Sequence, residues 1–142
     1  MARRPWRSRA CPTPLGCERE FAGILAALAD RGARDLVWLA ADVHYAAAHH
    51  YDPARATGAR FDPFWEFVAG PIHAGTLGPN ALDPTFGPEV AFQWAPAAGQ
   101  SNLAPWDGLQ SFGTVDATPD ALAVALHGID GRDRYRVELP RT

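Results

Sequence analysis

Phe21, Ile24, Leu25 and Leu28 recur at i, i+3, i+4 and i+7, so four large apolar side chains share one stripe of a helix. Glu18 and Glu20 stand in its first turn, where the helix dipole favours anions, and Gly32 follows Arg31 in position for a left-handed cap. A few residues later comes Leu36-Val37-Trp38-Leu39-Ala40-Ala41, which is continuously apolar rather than alternating. Such a run is what a strand covered on both faces requires. A helix feeding directly into a buried strand predicts a layered αβ core, in which functional groups gather where strands end at their carboxyl side. Asp42-Val43-His44-Tyr45 occupies that place.

The remainder reads as β, which makes the fold class α+β. Phe64–Val68 is a short aromatic strand, and Val90, Phe92 and Trp94 alternate with small or polar partners. Leu122, Val124 and Leu126 alternate with alanines, while Tyr135, Val137 and Leu139 alternate with Arg134, Arg136 and Glu138, predicting a strand with a charged outer face. Asp130-Gly131 between these segments signals a hairpin turn. Residues 70–88 hold Pro71, Gly75, Gly78, Pro79, Pro84, Gly87 and Pro88, a long rigid loop that implies either a functional role or a cover over another part of the protein.

With 142 residues the chain has room for one domain. No apolar run is long enough to cross a bilayer. A formal net charge of -3 argues against a dedicated nucleic-acid surface, because phosphate backbones demand a positive field. Arg3, Arg4, Arg7 and Arg9 make a basic start, but Trp6-Arg7-Ser8-Arg9-Ala10-Cys11-Pro12 is not the apolar stretch of an export signal. The compartment is left open. Residues 1–17 show no periodicity and are expected to form a disordered tail. Cys11 and Cys17 are the only cysteines. A disulfide between them would need an oxidising compartment, and two unpaired structural thiols are the preferred reading.

Asp42 and His44 lie at i, i+2, so in an extended backbone their side chains project to one side and can converge on a single ion. The bland alternative has Asp42 capping a turn and His44 hydrogen-bonded near the core. His49 and His50 face opposite ways if extended, so at most one could reach the same ion; both read as surface or satisfied histidines. His44, His49 and His73 together would allow a small zinc module, although their spacing matches no familiar structural pattern. His127 beside Gly128 reads as structural. Ser101 and Ser111 lack a nucleophile elbow, and neither a phosphate loop nor a dinucleotide fingerprint is present. The tryptophans at 38, 65, 94 and 106 read as fillers of core or loop cavities.

Three stretches in order carry a resemblance. Residues 36–48, with Ala41-Asp42-Val43-His44-Tyr45 at their centre, resemble the Gly/Ala-Asp-Val-His-Tyr segment of PhoD-like alkaline phosphatases. Residues 64–89 are similar to that family's Gly/Pro-rich loop, and Asn102, Pro105, Asp107-Gly108-Leu109-Gln110 and Phe112-Gly113 to the stretch that follows it. The resemblance covers the chain from about Pro14 onward and implies the C-terminal part of a metallophosphatase αββα sandwich over residues 18–142. It implies iron and calcium as cofactors, a phosphate ester as substrate, Asp42 and His44 as metal ligands, and Tyr45 and His73 near the site; no residue is assigned as catalytic. Family members are typically exported. The family's other ligands lie on motifs N-terminal to this region, so the chain is expected to be inactive unless an N-terminal half completes it. An open sheet edge at the strand ending at Ala41 is then expected, with self-association through it. A non-catalytic structural or interaction remnant is the rival expectation.

Overall fold

The structure is a computed structural model and describes residues 17–57 and 60–142. Helix α1 (Glu18–Asp30) leads to β1 (Val37–Ala40), β2 (Ala46–Tyr51), β3 (Phe64–Val68) and β4 (Pro88–Trp94). β5 (Ser111–Ala117), β6 (Ala121–Gly128) and β7 (Asp133–Pro140) follow. The α+β class read from the pattern is the class observed. The expected disordered tail and the Cys11 thiol lie outside the described residues; Cys17, just inside them, is exposed and free.

α1 ends as its sequence predicts. Gly32 adopts φ 69, its amide donates to Ala29 O, and the amide of Ala33 donates to Leu28 O. These two bonds satisfy carbonyls that the last turn would leave bare. The apolar stripe is narrower than predicted. Leu25 is buried and Phe21 packs beside it, but Ile24 is 45% exposed, because no described element covers that flank.

The first sheet has the order β1-β3-β2-β4, with β1 and β3 parallel and the other pairs antiparallel. One face packs Trp38, Tyr51 and Phe64 against Phe21 and Leu25 of α1. The opposite face sets Ala48, Phe67 and Phe92 against Leu122, Val124, Tyr135, Val137 and Leu139 of the second sheet, whose order is β5-β6-β7. The alternation legible in the last two strands fixes their register: Leu122 faces Leu139, Val124 faces Val137 and Leu126 faces Tyr135. A one-residue slip would turn the three on the slipped strand to the opposite face. The Asp130-Gly131 turn closes this hairpin, with Gly131 at φ 75.

Three expectations need correction. β1 is an edge strand paired only to β3, and Leu39 is 65% exposed, so the run is not covered on both faces. A continuous apolar run marks residues able to be buried, and here no described residue supplies the second cover. Val90 of β4 is 48% exposed, where a bulge between Ala48 and His49 shifts the β2–β4 register. Trp106 fills no cavity. It stands 86% exposed on a 3-10 turn (Pro105–Asp107) held by the Asp107 carboxylate accepting from the amide of Ala104.

Candidate functional site

Parallel pairing puts the carboxyl ends of β1 and β3 side by side. Ala40 and Val68 are partners in the register, so Ala41-Asp42 and Ala69-Gly70 emerge together. The amide of Ala69 donates to Ala40 O and continues the ladder one step. β5 arrives beside them: Ser111 donates its amide to Pro71 O, while its Oγ accepts from the Gly70 amide at 3.0 Å and donates to Gly70 O at 3.1 Å. The result is an open pocket of about 380 Å³ lined by Asp42, His44, Gly70, Ile72, Ser111 and Phe112, among others.

Asp42 and His44 therefore line one pocket, but not by the route the i, i+2 spacing suggested. The backbone is not extended there. Asp42 has φ 76 and His44 φ 64, both left-handed, a region where Asp, Asn and His are the commonest non-glycine residues. Backbone held in such sparsely populated conformations clusters at functional sites. The bend is secured at His44, whose backbone oxygen accepts from the amide of Leu77 at 3.0 Å and whose Nδ1 lies 2.7 Å from Gly75 O. Since a carbonyl can only accept, Nδ1 carries the proton and donates, so the neutral ring keeps its lone pair on Nε2. Histidines that bind metals are commonly oriented by such a bond from the other ring nitrogen. The carboxylate of Asp42 has no hydrogen bond or ion pair with any described residue. A carboxylate oxygen and an imidazole nitrogen on one pocket wall suit a hard or borderline cation.

The other candidates are dispersed. His73 is exposed and does not line the pocket. Tyr45 is buried with Ala47 and Val68; its hydroxyl accepts from the Asn80 amide and its ring lies against Gly78, where a Cβ would come within 2.5 Å of Cδ1. Burial pushes its phenol pKa up. His50 lies 4.8 Å from the Trp65 ring. His49 is no surface residue: it is 3% exposed, with Nδ1 2.9 Å from Glu66 Oε2, which also accepts from the Tyr51 hydroxyl at 2.8 Å. Burial pushes the Glu66 carboxyl up, but the bonds from His49 and Tyr51 pull harder and leave its pKa below the ordinary range. His127 is structural, with Nε2 2.8 Å from Thr114 Oγ1 and Nδ1 2.8 Å from Asp133 Oδ1. Among the described residues no group of three or more His, Cys, Asp or Glu is arranged to hold a metal, so His44, His49 and His73 do not form a zinc module.

Sequence reasoning missed Ser111 and Gly75, the groups that shape the pocket and orient His44. Ser111 had been considered only as a nucleophile, and Gly75 only as loop punctuation. A Cβ on Gly75 would lie 2.5 Å from Asn102 Oδ1 and 3.2 Å from Leu103 O. A side chain there would have to displace the Asn102 amide and crowd the Leu103 carbonyl.

Residues 14–126 match the family model of the PhoD-like phosphatases. No curated protein and no solved structure matches the chain.

Proposed function

This chain belongs to the PhoD-like phosphatase family, and from that premise we propose that it supplies the C-terminal part of a metal-dependent phosphoesterase domain, with Asp42 and His44 as two ligands of the metal centre. One observation carries the reading: both side chains line the same pocket, and Nδ1 of His44 is already committed to Gly75 O. The family implies iron and calcium. Carboxylate oxygen suits calcium, and imidazole with carboxylate suits iron. Bound there, such cations would offset phosphate charge and make coordinated water acidic enough to attack phosphorus. The chain's own contribution is orientation, because the left-handed bend and the Gly75 carbonyl hold His44 before any ion arrives.

Two donors cannot satisfy two cations that each take about five to eight. The remaining ligands are expected from polypeptide that pairs along the open edge of β1, and the chain alone is expected to be inactive. The substrate class is a phosphomonoester or phosphodiester. Exposed Leu39 on that edge also favours a second reading, a non-catalytic remnant that associates with copies of itself.

The test combines the chain with the N-terminal half of a family member and follows p-nitrophenyl and bis-p-nitrophenyl phosphate hydrolysis with calcium and iron. Turnover should need both halves and both metals, and Asp42→Asn or His44→Ala should remove it. Full turnover by either variant would overturn the ligand assignment. Association that ignores metals, with no turnover in the combined sample, would favour the remnant.

A further inference from the structure

The pocket that Asp42 and His44 line has an apolar side as well. Ala69, Pro71, Ile72 and Phe112 share it with them, so carbon surface adjoins the carboxylate and the imidazole within one space of about 380 Å³. Pockets that take small organic ligands run to about 300–1,000 Å³ and combine an apolar lining with a few placed polar groups. Ile72 is the most telling of these residues. It lines the pocket while 69% exposed, so much of its side chain is open to whatever enters.

The wall is fixed before anything binds. The amide of Ala69 donates to Ala40 O at 3.1 Å, the Ser111 hydroxyl bonds both the amide and the oxygen of Gly70, and the Ser111 amide donates to Pro71 O at 2.9 Å. Three consecutive residues before Ile72 are thus tied to the end of β1 or the start of β5. Gly70 makes the turn between them at φ 118, a conformation that glycine adopts without strain. Phe112 stacks on the His127 ring with centroids 4.9 Å apart. His127 in turn lies 2.8 Å from both Thr114 Oγ1 and Asp133 Oδ1. Groups already held in place lose little freedom when a ligand arrives, which favours binding.

In a phosphate ester the organic group is joined to phosphorus through a single oxygen. With phosphorus near Asp42 and His44, that group must meet the rest of the pocket. An aryl or alkyl group buries carbon against carbon there, whereas a sugar or polyol would set its hydroxyls against surface that cannot bond them. We infer that Ile72 and Phe112 form an apolar subsite, which selects phosphate esters of aryl or alkyl groups over those of sugars and polyols. This selection rests on the phosphatase reading of Asp42 and His44, since their metal centre would hold phosphorus in the pocket.

Two measurements separate the subsite from the reaction. The first uses the chain alone, without metal or turnover: benzyl alcohol or glycerol is added while amide shifts are followed by nuclear magnetic resonance. Benzyl alcohol should move the amides of Ile72, Phe112 and Gly113 with a dissociation constant on the order of 10 mM, and glycerol should leave them in place. Ile72→Ser, at an exposed position that tolerates exchange, should weaken the response, and Ile72→Leu should keep it. Shifts confined to other parts of the chain, or an equal response to glycerol, would overturn the subsite.

The second measurement uses the chain completed by an N-terminal half and compares kcat/KM for benzyl phosphate with that for glycerol phosphate. Ile72→Ser should lower this ratio about tenfold, the scale of a lost apolar contact, and Ile72→Leu should hold it. Turnover with an unchanged ratio in Ile72→Ser would overturn the subsite and leave the phosphatase reading intact. A sample that hydrolyses no ester, while benzyl alcohol still moves the wall, would sink the phosphatase reading and with it the choice among esters.

Discussion

Nδ1 of His44 donates to the carbonyl oxygen of Gly75 at 2.7 Å, across 31 residues of sequence. The bond joins the turn that follows β1 to the glycine- and proline-rich loop. Two motifs that looked independent along the chain are therefore one device for setting an imidazole.

Replacing Gly75 with alanine should break that device. The new Cβ would press on Asn102 Oδ1 at 2.5 Å and on a backbone oxygen at 3.2 Å, and the backbone oxygen cannot rotate away. We expect a loss of about 1–3 kcal/mol in urea denaturation, the usual cost of overpacking. In the completed enzyme, metal affinity should fall about 10–100-fold, as when a ligand's orienting partner is lost.

Glu66 should give the chain an acid-sensitive component of stability. Its pKa in the folded protein is below the ordinary glutamate range, because the His49 and Tyr51 bonds outweigh burial, so folding favours the ionised form. That contribution is complete above the unfolded value and disappears as pH falls through the lower, folded one. The urea midpoint should therefore drop on acidification below about pH 4.5. Glu66→Gln should flatten that part of the profile, and an unchanged profile would refute the assignment.

Leu39→Lys should reduce association. Leu39 is 65% exposed on an edge strand, and a lysine on an edge strand is a common barrier to pairing. Sedimentation velocity should show a larger monomer fraction with an unaltered far-ultraviolet spectrum. Equal association in both proteins would place the contact away from β1.

Phe67→Ala should cost about 3–5 kcal/mol, the range for removing a buried aromatic ring. Phe67 is 2% exposed between the two sheets, stacked 5.6 Å from Trp65 and packed in the cluster of Ala48 and Val124. A domain of this size has about 5–15 kcal/mol in all, so the variant should unfold at markedly lower urea.

Much of the fold was legible because neighbouring residues encode it. The helix stripe, its Gly32 cap, Phe64–Val68 and the final hairpin all rest on contacts between residues close in sequence, where periodicity reports burial directly. β5 was not recognised. Phe112-Gly113-Thr114-Val115 alternates weakly, and Gly113 is small because its face meets Ala69, with a Cβ there 3.3 Å from Ala69 Cβ. His49 is the satisfied histidine that one of its two readings allowed, but its partner could not be read: Glu66 is 17 residues away and invisible to local pattern.

By itself the sequence determined which residues could carry chemistry, since Asp42 and His44 follow a continuous apolar run and sit in a recognisable motif. Only the tertiary structure decided how they meet. The i, i+2 rule assumes extended backbone, whereas two left-handed residues, a parallel β1–β3 register and a carbonyl from a distant loop set the geometry. Contacts of that kind are paid for by the whole packed fold rather than by any local stretch, which is why no window along the chain could reveal them.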